Sequence, residues 1–367
     1  MATQNGNDDD NYLVGNDEDD ILNGFGGNDR LEGAGGNDQL FGGDGIDFLL
    51  GGVGADTLIG GAGDDFYFID DLSDVIVEEV NGGGDIVITS LSYTLGQNLE
   101  ALYIQGDTDD IDGTGNGLNN YIQGSIFRNT LFGLDGDDTL AGFGGGDLLY
   151  GGTGNDTYEI FDATDSIIED VDAGTETVLA SISFTLGENV ENLTLYKNPQ
   201  YPGYPSPPDN PLNGIGNELD NTIIGNNASN LLFGKQGGDT LLGEGGADRI
   251  IGGIGEDILT GDDGVDRFYR RRSDTGVDTI TDFLVGEDLL CFSATGFGGD
   301  LVSGDVLAEE QFTLGTTATT DSDRFIYDSD TGNLFFDIDG TGESEQVQIA
   351  NLSPSLNLGH TDIYIFA

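Results

Sequence analysis

Aspartates recur nine residues apart in three stretches of the chain. They are Asp20, Asp29, Asp38, Asp47, Asp56 and Asp65, then Asp138, Asp147 and Asp156, then Asp239, Asp248, Asp257 and Asp266. Carboxylates set at a fixed period can serve a hard cation or general acid–base chemistry, and the residues around them decide which. Each of these aspartates is the sixth residue of a nine-residue word that opens on glycine and carries an aliphatic or aromatic residue at its eighth place. GGDGIDFLL (42–50), GGVGADTLI (51–59) and GGAGDDFYF (60–68) are three consecutive examples. Words in this register fill residues 6–68, 115–159 and 216–269. Five weaker words carry Asn11, Asn120, Asn129, Asn221 and Asn230 at the sixth place instead.

The elements that must position these side chains follow from the spacing. One buried apolar residue in nine is too sparse for a helix face, and pieces such as TLI, FLL and QLF between glycines suit very short strands. Glycine supplies the positive φ angles that tight turns need. Two strand–turn words then make one coil of eighteen residues, and coils stack about 4.8 Å apart with the eighth-place residues forming the core. In that arrangement Asp20 stands over Asp38 and Asp56 on one edge, and Asp29 over Asp47 and Asp65 on the other. Two carboxylates about 5 Å apart at an effective dielectric near 20 repel by ~3 kcal/mol, so each column requires cations between its members. Carboxylates with turn carbonyls form a flexible all-oxygen donor set, which suits Ca²⁺ better than Mg²⁺ or zinc. Same-edge pairs 20/38, 29/47, 38/56, 47/65, 138/156, 239/257 and 248/266 lead to an expectation of about seven Ca²⁺ sites, with weak sites or none at the asparagine words.

These words resemble the RTX repeat, GGxGxDxUx. The resemblance implies an all-β fold, a parallel β-roll (β-solenoid), with Ca²⁺ held by the thirteen aspartates and by carbonyls of the glycine turns. Those carbonyls belong to Gly33, Gly35, Gly36, Gly42, Gly43, Gly45, Gly51, Gly52, Gly54, Gly60, Gly61, Gly63, Gly151, Gly152, Gly154, Gly252, Gly253 and Gly255. It also implies folding driven by Ca²⁺, since glycine entropy and carboxylate repulsion both oppose the coil without metal.

Composition narrows the rest. The 367 residues carry 69 acidic and 10 basic side chains, a net charge of −59, with 63 glycines, one Cys, one His and no Trp. A nucleic-acid binder needs a basic footprint that is missing here. One His and one Cys leave almost no room for Cys/His zinc sites or a His-dependent triad, and a single Cys excludes a disulfide scaffold. No apolar run approaches a membrane span, and the start MATQNGNDDD does not read as a cleavable signal peptide.

The expected organisation is a roll over 1–68, a β-rich insert over 69–114 and a second roll over 115–159. An insert over 160–215 follows, with a Pro-rich loop at 197–211, then a third roll over 216–269 and a C-terminal antiparallel β cap over 270–367. Residues 67–104 align without a gap to 158–195, an offset of 91, so roll and insert look like a duplicated module. Arg267, Arg270, Arg271 and Arg272 are read as partners of nearby aspartates, Cys291 as a buried thiol and His360 as a surface residue. The stretch 277–290 resembles the segment after the roll in serralysin-type proteins, and 324–342 reads as a hairpin. Asp337-Ile338-Asp339-Gly340 resembles part of an EF-hand loop but lacks its third acid and distant Glu. The tail Asp362-Ile363-Tyr364-Ile365-Phe366-Ala367 resembles an uncleaved type I secretion signal.

The resemblance therefore implies a protein exported by the type I machinery of a Gram-negative cell, folding on Ca²⁺ outside it. No HExxH, GxSxG or P-loop is present, so the expectation is a non-catalytic component of the cell surface or extracellular matrix. A Ca²⁺-dependent glycan-binding or adhesive module, self-association, and a polysaccharide-modifying enzyme built on the roll stay open as alternatives.

Overall fold

The computed structural model describes residues 2–108, 110–196, 210–271 and 274–367. Most of the Pro-rich loop and Arg272 lie outside the described residues. The chain forms two compact units, 1–176 and 177–367.

In the first unit, strands one coil apart pair in parallel at a register of eighteen. Ile21–Gly26 pairs with Gln39–Asp44, and that strand with Thr57–Ala62. On the other face Arg30–Gly35, Phe48–Val53 and Phe66–Ile69 form the matching ladder. The eighth-place residues Leu22, Leu31, Leu40, Leu49, Leu58 and Tyr67 lie between the two faces and are fully buried. Alternation along each strand places this residue inward, while the seventh and ninth are partly exposed. The turns require glycine at the word's fourth place. Gly54 has φ +150°, and a Cβ there would stand 1.6 Å from the Gly36 carbonyl oxygen of the preceding coil.

The first insert carries the ladder onward. Phe66 lies opposite Ile86, Ile86 opposite Ala101, and Ala101 opposite Tyr121. Its strands stack on the same core through Val87 and Leu102, both fully buried. Only coil length changes, because the turns are no longer built from nonapeptides. Thr130–Asp135 and Leu148–Thr153 then restore the eighteen-residue register.

The second unit repeats the plan. Leu231–Gln236, Arg249–Ile254 and Arg267–Arg270 form one parallel ladder, and Thr222–Ile224, Thr240–Leu242 and Ile258–Thr260 the other. Leu289–Ser293 and Ile363–Phe366 extend the first ladder in parallel. Antiparallel pairing enters in the cap, where Phe325–Asp328, Asn333–Phe336 and Val347–Asn351 form a meander. The hairpin expected within 324–342 is its first half, with Gly332 at φ +82° in the turn. Phe292, Phe297, Phe325 and Phe336 close the cap core, with ring centroids 4.8 to 5.3 Å apart. No helix among the described residues is long and apolar enough to cross a membrane.

Candidate metal centres along the roll edges

Each column aspartate stands at the entry to a strand, where the turn ends and the chain joins the ladder. Asp20, Asp38 and Asp56 precede strands of one face, and Asp29, Asp47 and Asp65 strands of the other, so the two columns run on opposite edges. Within a column, each residue donates its backbone N–H to Oδ1 of the aspartate one coil on. Asp20 donates to Asp38, Asp29 to Asp47 and Asp38 to Asp56 at 2.7 Å, and Asp47 to Asp65 at 2.8 Å. Asp138 donates to Asp156, Asp239 to Asp257 and Asp248 to Asp266 at 2.8, 2.9 and 2.8 Å. All seven same-edge pairs read from the sequence are therefore neighbours.

The second oxygen of these carboxylates has a different fate. Oδ2 of Asp29, Asp38, Asp47, Asp56, Asp65, Asp138, Asp147, Asp156, Asp239, Asp248, Asp257 and Asp266 is buried without a hydrogen-bond partner. Native proteins leave few buried polar atoms unsatisfied, and a row of such oxygens calls for a ligand. The first glycine of each word faces the same place. A Cβ on Gly33 would stand 2.3 Å from Asp38 Oδ2 and 2.4 Å from the Gly51 carbonyl oxygen. On Gly133 it would stand 2.2 Å from Asp138 Oδ2 and 2.4 Å from the Gly151 carbonyl, and on Gly234 2.0 Å from Asp239 Oδ2 and 2.6 Å from the Gly252 carbonyl. Carboxylate and carbonyl oxygens thus converge on a small space kept open by the missing side chain. The donor set is all oxygen and fits Ca²⁺.

The predicted carbonyls divide by place in the word. Those of Gly33, Gly42, Gly51, Gly60, Gly151 and Gly252 lie beside the column carboxylates in this way. Gly43, Gly52, Gly61, Gly152 and Gly253 are ladder residues with positive φ. Gly36, Gly45, Gly54, Gly63, Gly154 and Gly255 occupy the turn, and the carbonyl of Gly36 faces Gly54 as that of Gly45 faces Gly63. Gly35, at the third place, pairs opposite Val53.

Burial dominates the proton affinities. With only protein around them, desolvation pushes Asp47, Asp56 and Asp266 up to about 6, and Asp65, Asp138, Asp147, Asp239 and Asp248 up to about 7. The backbone N–H bond to each opposes this shift, and neighbouring carboxylates add to it.

Asparagine words solve the same problem with an amide. Asn129 Oδ1 accepts from the Ser125 N–H at 2.7 Å, and its Nδ2 donates to the Ile111 carbonyl at 2.6 Å. Asn230 repeats this with Asn226 N–H at 2.7 Å and the Leu212 carbonyl at 3.0 Å. Asn120 and Asn221 also turn Nδ2 toward carbonyls of the preceding coil. The amide hydrogens stand where a cation would otherwise satisfy oxygens. Asp20 is closed in a related way, its Oδ2 accepting from Asn16 N at 2.9 Å and Asn16 Nδ2 at 2.7 Å.

The columns continue beyond the words, which the nonapeptide pattern misses. Asp56 donates to Asp74 Oδ1 at 3.1 Å, Asp65 to Asp85 at 2.9 Å, Asp147 to Asp165 at 3.0 Å and Asp266 to Asp288 at 2.9 Å. Oδ2 of Asp85 and Asp165 is again buried and unpartnered. Extending the eighteen-residue period would have found Asp74 and Asp165. Asp85 and Asp288 sit on longer coils and leave no periodic signal. At the end of one column Asp257 donates to Asp278 at 3.4 Å, and Asp278 is ion-paired with Arg270 where both side chains are under a tenth exposed. Arg270 thus takes the aspartate partner expected of it, and Arg271 donates its backbone N–H to Asp274 at 2.6 Å. Cys291 is buried, its thiol pushed up to about 12 by burial. His360 is half-buried rather than on the surface, with Nδ1 2.9 Å from the Leu307 carbonyl. Asp339 Oδ2 accepts from Ser344 N–H and hydroxyl, bonds within its own turn.

The model of the RTX calcium-binding nonapeptide repeat matches residues 5–40, 41–76, 114–142, 123–158, 215–248 and 233–268. This chain carries RTX calcium-binding nonapeptide repeats. The matched segments contain all thirteen column aspartates, so the RTX register and the geometric columns coincide. Among solved structures, the extracellular lipase LipA from Serratia marcescens is similar at 18% identity with a TM-score of 0.26, over 78% of this chain and 45% of that one. The chain thus spans less than half the length of that protein. No curated protein matches the RTX chain.

Proposed function

We propose that this RTX protein is a secreted, non-catalytic calcium-binding component of the cell surface or extracellular matrix, exported by a type I system and folded by Ca²⁺ outside the cell. The row of buried, unpartnered Oδ2 atoms carries the reading. Ca²⁺ would be held by the paired aspartates 29/47, 38/56, 47/65, 138/156, 239/257 and 248/266, with the carbonyls of the opening glycines, and by 20/38 through Asp38 Oδ2 with Asn16 displaced from Asp20. The ion supplies the positive charge that lets buried carboxylates stay ionised and stacked. The chain's own residues supply the rest: backbone N–H groups hold each Oδ1 in place, opening glycines keep the space clear, and eighth-place leucines fix coil spacing. Because metal binding to such a site is folding free energy, the protein would remain unfolded where Ca²⁺ is scarce. Far-ultraviolet circular dichroism in EDTA and in millimolar Ca²⁺ tests this: a β spectrum should appear only with Ca²⁺, and identical spectra would refute the reading.

A second reading has one observation in its favour. Half-exposed rings stack along the roll surface, Phe48 on Phe66 at 4.7 Å and Phe132 on Tyr150 at 4.8 Å. Flat aromatic rows of this kind suit sugar rings, so a Ca²⁺-dependent glycan-binding role is tested on a glycan array with the calcium-loaded protein.

A further inference from the structure

Two acidic trios interrupt the regular plan. Asp65, Glu78 and Asp85 bring carboxylate oxygens within 4.8 Å of one another, and so do Asp156, Glu169 and Glu176. The second trio stands at the first trio's positions displaced by the 91-residue offset of the duplicated module, with Glu in place of the last Asp.

The register explains how Glu78 reaches this place. Leu58 lies opposite Ile76, so two residues further on Glu78 falls opposite Gly60, the opening place of a word. In regular coils this place is glycine because a side chain would strike the column carboxylate. Here a glutamate occupies it and brings a third carboxylate to the column. Its neighbour is altered to match. The eighth place of the preceding word is Tyr67 rather than Leu, its hydroxyl accepting from the Gly60 N–H at 2.7 Å and donating to Glu78 Oε1. Tyr158 donates to Glu169 in the same way.

An independent observation points to a ligand. Asp65 and Asp85 are 0% and 1% exposed, and Oδ2 of each is buried without a partner. Asp156 Oδ2 is in the same condition in the second trio. In the first trio two of the three carboxylates, Asp65 and Asp85, thus keep an unsatisfied oxygen beside Glu78.

Building on the calcium reading above, we propose that each trio is a three-carboxylate Ca²⁺ site closing the end of its roll, and that these two sites fill before the two-aspartate sites of the regular coils. Calcium affinity rises with the number of charged ligands, and each trio supplies three where the regular pairs supply two. Tyr67 and Tyr158 position the glutamates, each by one hydroxyl hydrogen bond.

The full-length chain provides the test. Isothermal titration with Ca²⁺ should show a tight phase of about two ions ahead of the rest, tightened by at least about tenfold. The double variants Glu78→Gln with Glu169→Gln and Glu78→Gly with Glu169→Gly should both lose that phase while later binding persists. The glycine pair restores the glycine that the opening place carries in regular coils, so it keeps the fold available if the glutamine pair fails. Tb³⁺ offers a second readout. Tyrosine-sensitised emission from the first two equivalents should fall sharply in Tyr67→Phe with Tyr158→Phe. An unchanged tight phase in the glycine pair, or unchanged early Tb³⁺ emission in the phenylalanine pair, overturns the proposal while leaving the regular calcium sites standing. Absence of any Ca²⁺ binding by the parent chain would overturn both.

Discussion

A column aspartate uses its two oxygens for different purposes. Asp47 accepts the Asp29 N–H through Oδ1 and leaves Oδ2 buried and unpartnered. Asparagine at the same place accepts from its own turn and donates to a carbonyl of the preceding coil, as Asn129 does with the Ser125 N–H and the Ile111 carbonyl. The substitution Asp47→Asn should therefore remove Ca²⁺ sites on both sides of residue 47, lowering the stoichiometry measured by calorimetry. It should also favour the metal-free roll by roughly 1 kcal/mol through the regained hydrogen bond, measured as a lower concentration of a folding osmolyte needed for half-maximal β structure in EDTA. Protons compete for the same oxygens. Burial raises Asp47 to about 6 and Asp65 and Asp147 to about 7 in the folded chain, against about 3.9 in an unfolded one. A raised folded value stabilises the metal-free fold below the unfolded value and loses that contribution as pH rises through 6 to 7. The metal-free chain should gain stability on acidification over that window, while its Ca²⁺ midpoint moves to higher concentration. Parallel titrations at pH 8 and 5.5 check both directions.

At the scale of the element, a coil is defined by what closes its two turns. Nonapeptide turns close with glycine and carboxylate, asparagine turns with an amide, and the column 239/257/278 ends on the Arg270–Asp278 ion pair. Both members are under a tenth exposed, and removing one partner of a buried pair leaves an uncompensated charge. Arg270→Ala should cost about 3–5 kcal/mol in calcium-loaded protein, and adding Asp278→Asn should recover part of it, read from denaturant midpoints. The strands were legible in the sequence wherever the nine-residue word repeats, since its apolar eighth place and opening glycine recur together. The inserts were legible as strands but not as coils. Ile86–Thr89 joins the ladder between Phe66–Ile69 and Ala101–Ile104 through coils of unequal length, and unequal coils leave no period to detect.

For the whole molecule, charge decides the conditions under which the fold exists. Seven Ca²⁺ against a net charge of −59 would leave about −45, so most of the acid is solvated surface charge that favours solubility. Screening by monovalent salt reduces repulsion between exposed charges but provides no ligand for buried Oδ2 atoms. One molar NaCl should therefore fail to replace millimolar Ca²⁺ in compacting the chain, with the radius of gyration from X-ray scattering as the measure.

The sequence by itself determined the words, the eighteen-residue coil and the aspartate columns. A coil touches only its neighbours, so a local period is enough to state which residues meet. The tertiary structure alone decided where the columns end. Asp85 and Asp288 enter them from longer coils, Arg270 folds back onto Asp278, and Glu78 arrives opposite Gly60. These placements depend on turn lengths and on side chains reaching across coils, neither of which has a periodic signature. The repeat specifies how the roll continues, and three-dimensional packing specifies how it stops.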